Sequence, residues 1–170
     1  MVDPQTISFA DPLTGIEFSH ENYGGWTGKF TDPNREEISV YLPGTLQDTT
    51  PDQAHLNLIR SVMVQLPSLR AHAIPFARRD VINDLDKWGL LDDNNMPFWE
   101  TCDDMSPWGT MTEADYDAEF QLMGLIIPET PTTPDEFALG FWSEVDGEHG
   151  VGVRFQNNQP TEMLSWCDFF

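Results

Sequence analysis

Segments with a strand period bracket one long stretch with a helical period, and that order sharply limits the architectures open to this chain. Residues 26–30 (Trp-Thr-Gly-Lys-Phe) and 38–42 (Ile-Ser-Val-Tyr-Leu) alternate large apolar with small or polar groups, the pattern of a strand with one face buried. Thr31-Asp32-Pro33-Asn34-Arg35 between them is rich in turn formers, so the pair reads as a hairpin. Shorter strands are expected at residues 6–10 and 16–18, separated by Asp11-Pro12 and Gly15.

The helical stretch follows. Thr50 is placed to cap, Pro51 suits a first helical position, and Gln53 completes a threonine-x-x-glutamine capping box. Ala54, Leu58, Ile59, Val62, Met63 and Leu66 then recur at helical spacing as far as Pro67. A second helix is expected from about Pro75, with Val81, Leu85 and Trp88 on its apolar face and Gly89 as its stop. Residues 90–111 read as an irregular connection, and Thr112 with Asp115 suits the cap of a short helix through Tyr116. Strands resume at 120–127 and 137–142. Residues 151–155 alternate cleanly, and 163–166 close the series. Strands outside and helices inside indicate an α+β fold, an antiparallel sheet with two main helices packed on one face.

A chain of 170 residues, 39% hydrophobic, with eleven Phe, six Trp and three Tyr, can build a sizeable core. One domain spanning residues 1–170 is expected, with the acidic connection at about 90–111. The longest uncharged apolar run, residues 122–127, is too short to cross a bilayer. The first residues offer neither a basic region nor an apolar signal segment, and two cysteines make no disulfide scaffold. A cytoplasmic protein is therefore expected.

No catalytic or metal-ligating pattern stands out. The histidines, His20, His55, His72 and His149, form no pair at i, i+4, and Cys102 and Cys167 lie far apart in sequence. Asp84, Asp86 and Gly89 resemble the start of a calcium loop, but Trp88 and Asn95 stand where oxygen ligands are needed. No glycine-x-serine-x-glycine elbow is present, and both cysteines adjoin aspartates, which disfavour a thiolate. No cofactor is expected.

Charge is the most informative remaining feature. The chain carries 29 acidic against 8 basic residues, a formal net charge of −21. Residues 88–170 hold seventeen acids and a single base, Arg154. Such a surface repels nucleic acid and anionic lipid and attracts basic proteins. Salt adaptation of the whole surface is the other reading of the same composition. Within this half, Phe98, Trp99, Glu100, Asp103, Asp104, Trp108, Glu113, Asp115, Tyr116, Asp117 and Glu119 interleave aromatics with carboxylates. They are the candidate partner-binding residues, since charge steers encounter while buried aromatics supply affinity. The same aromatics could equally serve the core, with the acids as its solvated rim.

The order of elements resembles a broad group of bacterial immunity-like proteins from toxin–immunity systems. The matching parts are Gly25-Trp26-Thr27-Gly28-Lys29-Phe30, the strand at 38–42, the helix start Thr50-Pro51-Asp52-Gln53, the helix ending at Trp88-Gly89, and the strands at 137–142 and 151–155. The resemblance implies a small α+β protein that blocks a cognate toxin, often a nuclease with a basic active site. The leading expectation is thus a binding protein that neutralises a basic protein partner by covering its active site, with no direct binding of nucleic acid or membrane. A small hydrolase or metal-dependent enzyme built from scattered carboxylates and histidines is the alternative, as is an acidic structural or accessory protein.

Overall fold

The computed structural model describes residues 7–20, 25–32, 36–45, 47–101, 108 and 110–169. The expected turn at 33–35, Gly24, Cys102, Asp103 and Asp104 lie outside the described residues. Eight strands form one sheet in sequential order: β1 (Ser8–Ala10), β2 (Glu17–His20), β3 (Trp26–Thr31), β4 (Glu37–Leu42), β5 (Gln121–Ile126), β6 (Phe137–Trp142), β7 (Val151–Gln156) and β8 (Gln159–Ser165). Every neighbouring pair is antiparallel except β4 and β5, which run parallel. Between those two lie α1 (Gln53–Asn83), α2 (Phe98–Thr101) and α3 (Glu113–Glu119). A parallel neighbour requires a long crossover, and the helices supply it. The protein is therefore α+β, with a largely antiparallel sheet and two main helices, α1 and α3, packed together. No helix among the described residues is long and apolar enough to cross a membrane.

Alternation sorts each strand into two faces. Ile38, Val40 and Leu42 of β4, Leu139 and Phe141 of β6, and Val151, Val153 and Phe155 of β7 are all buried in the main core. Onto that face α1 lays Leu56, Ile59, Val62, Leu66, Leu69, Ala73, Ala77 and Val81, a stripe spaced by three and four residues. Gly28 of β3 faces the same core because Phe18, its cross-strand neighbour on β2, fills the space. A Cβ there would stand 2.7 Å from Ile16 and 2.8 Å from Phe18.

The two expected helical stretches are one helix of 31 residues that runs through Pro67 and Pro75. Each proline lacks a backbone donor, but both are exposed, so the carbonyls they leave open face the side that water reaches. The apolar stripe on the opposite side continues unbroken, and tertiary packing overrides the local break. The cap is Asp52, whose Oδ1 accepts from the Ala54 N–H at 2.6 Å, rather than Thr50. The helix ends before Gly89, which closes the following turn at φ 64°. Asp80 pins that turn, accepting from Lys87 Nζ at 2.8 Å and from Trp88 Nε1 at 3.1 Å. The first part of the expected connection, residues 91–101, is more ordered than expected: Asp92 Oδ1 accepts from the N–H groups of Asn94 and Met96, Leu91 bridges Pro97, and α2 follows.

Over β5, β6 and β7 the face of the sheet away from α1 is covered by the end of the chain. Gly124, Gly140 and Gly152 are cross-strand neighbours on β5, β6 and β7. Over them lies the 3-10 turn Trp166–Phe169. A Cβ at Gly140 would stand 2.8 Å from the Trp166 ring, and one at Gly152 would stand 2.3 Å from Phe169. Trp166 and Phe169 join Ile126 and Ala138 in a second, smaller apolar cluster. Arg154 is stacked over Phe169 with its Cζ 5.4 Å from the ring centroid. The glycine row is thus a seat for two aromatic rings, and a methyl group there is overpacking. Gly140→Ala should cost about 1–3 kcal/mol in denaturant unfolding. The same change made in Trp166→Ala should cost much less, a coupling that a double-mutant cycle measures.

Asp11, buried at the β1–β2 turn, ties the sheet's first hairpin to α1. Arg60 meets it through both carboxylate oxygens, with Nε 3.2 Å from Oδ2 and Nη2 donating to Oδ1. Thr14 donates to it through its hydroxyl and its backbone N–H. The Arg60 bond, more than offsetting burial, holds the Asp11 carboxyl at about 2, below its ordinary 3.8. A depressed acid stabilises the fold above its unfolded value and loses that contribution as pH falls through the folded one. Unfolding free energy should therefore drop by about 2 kcal/mol between about pH 4 and pH 2. In Asp11→Asn that acid limb should be absent and stability at neutral pH lower by about the same amount, as read by denaturant titration across pH.

Candidate functional site

Helix α3 begins with a reciprocal cap. Asp115 N–H donates to Thr112 Oγ1 at 3.3 Å, while Asp115 Oδ2 accepts from the Thr112 N–H and hydroxyl, both at 2.7 Å. The Thr112 hydroxyl and N–H hold the Asp115 carboxyl below its ordinary range, so it is ionised at neutral pH. Tyr116 on the next turn points inward and is fully buried, donating from its hydroxyl to the Trp108 carbonyl. Trp108 is buried too, with its ring 5.6 Å from that of Phe120. On the α1 side, Arg78 lies over the Tyr116 ring at 4.5 Å, and Arg70 Nη2 donates to the Asp117 carbonyl at 3.2 Å.

With Tyr116 directed inward, the acids of α3 divide by helical spacing. Glu113 and Asp117, four apart, line a cleft of about 300 Å³ beside Arg78 and Pro75 of α1. Asp115 and Glu119, also four apart, line a larger groove of about 770 Å³ on the other flank. The far wall of that groove comes from the end of β6. Inward placement of Phe141 turns the next residue, Trp142, outward, where it is 51% exposed. Met111 and Ala118 add apolar surface, Glu144 adds a further carboxylate, and among the described residues no basic side chain lines the groove.

Glu119 joins the two walls. Its Oε1 accepts from Ser143 Oγ at 2.8 Å and from the Glu144 N–H at 2.5 Å. Burial pushes its carboxyl above the ordinary range, the two hydrogen bonds pull it back, and the Glu144 charge pushes it up again. It is a half-buried carboxylate that gains from any cation brought nearby.

The candidate partner-binding residues are not gathered on one surface. Asp115 and Glu119 share the groove, and Glu113 and Asp117 are exposed on the opposite side of α3. Trp108 and Tyr116 belong to the core and offer a partner no surface. Phe98, Trp99 and Glu100 lie in α2, where Phe98 is half-buried and Glu100 exposed. Asp103 and Asp104 lie outside the described residues. Trp142, Ser143 and Glu144 are the residues that sequence reading missed. Strand alternation places Trp142 on the face opposite Phe137, Leu139 and Phe141, but Ala138 and Gly140 share that face and are buried, so the sequence carried no signal that Trp142 is exposed.

Among the described residues, no group of three or more His, Cys, Asp and Glu side chains could hold a metal ion. His20 Nε2 lies 2.8 Å from the Thr45 carbonyl, and His149 Nδ1 lies 3.3 Å from Asp146. Asp84 and Asp92 accept from backbone N–H groups of their own turns, which accounts for the resemblance to a calcium loop. Cys167 is exposed, 3.3 Å from Ser165 Oγ. Comparison with known protein families, with curated proteins and with solved structures finds no match to this chain.

The two tryptophans, one in the groove and one beneath α3, should separate cleanly. Trp142→Ala should change unfolding free energy by no more than about 0.5 kcal/mol. Trp108→Ala should cost about 3–5 kcal/mol in the same denaturant titration.

Proposed function

We propose that this chain is a binding protein that neutralises a basic protein partner, docking it at the acid-lined groove beside Trp142. The observation that carries the reading is the groove itself: an exposed indole flanked by Asp115, Glu119 and Glu144, with no basic side chain among the described residues of its lining. Charge of one sign steers a basic partner to the site, and an aromatic anchor that becomes buried on contact supplies affinity. The net charge of −21 adds long-range attraction to the same class of partner and disfavours nucleic acid. The resemblance to immunity-like proteins supports a bacterial toxin, such as a nuclease with a basic active site, as that partner. In this reading the protein works in the cytoplasm by steric and electrostatic blockade of that active site.

The test is affinity capture from the source lysate at low and at high salt, followed by mass spectrometry. One basic protein should be retained near stoichiometrically at low salt and weakened by high salt. Trp142→Ala should lower its affinity by about 2 kcal/mol, and Glu144→Lys should slow its association. Retention of no single protein, or retention indifferent to salt, would sink the proposal.

A further inference from the structure

Arg154 shows one way this protein holds a guanidinium against an aromatic ring. Arg154 lies over the Phe169 ring at 5.4 Å, while its Nη1 stands 2.7 Å from Glu162 Oε2 and its Nε 3.4 Å from Glu136 Oε1. One aromatic ring and two carboxylates surround the cation. Three further cations also sit over rings: Arg78 over Tyr116, Arg79 over Phe76 and Lys87 over Trp88. Trp142 is an exposed ring over which no described residue places a cation.

The groove at Trp142 has the same parts as the Arg154 site without the guanidinium. Glu119 and Glu144 line it together with the indole. The protein donors to Glu119 are both spent on Oε1, and among the described residues none meets Oε2. Met111 and Ala118 give the groove apolar surface for an aliphatic stem.

We propose that the groove receives one arginine side chain of the partner, its guanidinium stacked on Trp142 and held by the carboxylates of Glu119 and Glu144. The assignment rests on the basic-partner reading and specifies the side chain that reading leaves open. Arginine suits the site better than lysine because a planar, weakly hydrated guanidinium stacks on an indole while its edge donates to carboxylates. Lysine brings a strongly hydrated point charge that must choose between the ring and the acids. The pressure that burial and Glu144 place on Glu119 is relieved by the same cation.

The experiment titrates the full chain, labelled with nitrogen-15, with capped Gly-Arg-Gly, Gly-Lys-Gly and Gly-citrulline-Gly peptides. The readout is the Trp142 indole N–H resonance, assigned by its loss in Trp142→Phe. The arginine peptide should shift that resonance saturably, with a Kd on the order of 1–10 mM. It should bind about threefold to tenfold more tightly than the lysine peptide, and the neutral citrulline peptide should leave the signal in place. Glu119→Gln, which keeps an oxygen for Ser143, and Glu144→Gln should each weaken the arginine peptide severalfold. An unmoved Trp142 resonance, or equal shifts by arginine and citrulline, would overturn the inference. So would a captured protein partner whose salt-sensitive binding survives Trp142→Ala, a result that would keep a basic partner but move its docking away from the groove. Arginine-peptide binding at Trp142 with no protein captured upholds this inference and overturns that reading.

Discussion

The packing of α1 across one face of the sheet is the constraint from which the remaining architecture follows. Its stripe from Leu56 to Val81 must be buried, and the sheet offers the only broad apolar face among the described elements. Laying the helix there carries the chain from β4 to β5 along a parallel register, the one break in an otherwise antiparallel series. The sheet then has a second face to cover, and a single helix cannot cover both. Over β5, β6 and β7 the chain's end does so, with Trp166 and Phe169 seated on the glycines of those strands, while polar residues of β2, β3 and β4 leave the rest of that face open. Lys87 reinforces the arrangement by joining the turn after α1 to the Met163 carbonyl of β8.

The groove is a consequence of that packing. Because α1 crosses the sheet, α3 can lodge Tyr116 against Arg78 and the Trp108 carbonyl. With Tyr116 held inward, the four acids of α3 point to two different flanks, and only Asp115 and Glu119 face β6. Glu119 then reaches Ser143 and the Glu144 N–H, bringing the helix and strand end together around Trp142. Elsewhere described basic groups are used within the molecule, as with Arg60 on Asp11 and Arg154 between Glu136 and Glu162. Asp115, Glu119 and Glu144 around Trp142 line the groove with no described basic side chain beside them.

Much of the fold was legible because the signals are local. The alternation in residues 38–42, 137–142 and 151–155 depends on which face each residue presents, and β4, β6 and β7 follow it. The box formed by Thr112 and Asp115 is complete within four residues and forms as read. Local rules misled where tertiary packing outweighed them. Pro67 and Pro75 suggested two helices, yet a stripe buried on the opposite side carries one helix through both. Thr50 and Asp52 are both capping residue types, and the one that caps is Asp52, bonded to the Ala54 N–H.

The candidate site divides in the same way. Composition alone determined that this protein carries a strongly negative net charge, because charge adds up regardless of fold. Periodicity determined the α+β class, since residues two apart or three and four apart share a face in any strand or helix. Only the tertiary structure decided which aromatics remain outside. Trp108 and Tyr116 sit among acids in sequence but belong to the core, whereas Trp142 ends a buried strand and faces solvent. Burial is set by what lies across the gap, and residues distant in sequence, Tyr116 with Arg78 or Glu119 with Ser143, become neighbours only once the chain has folded.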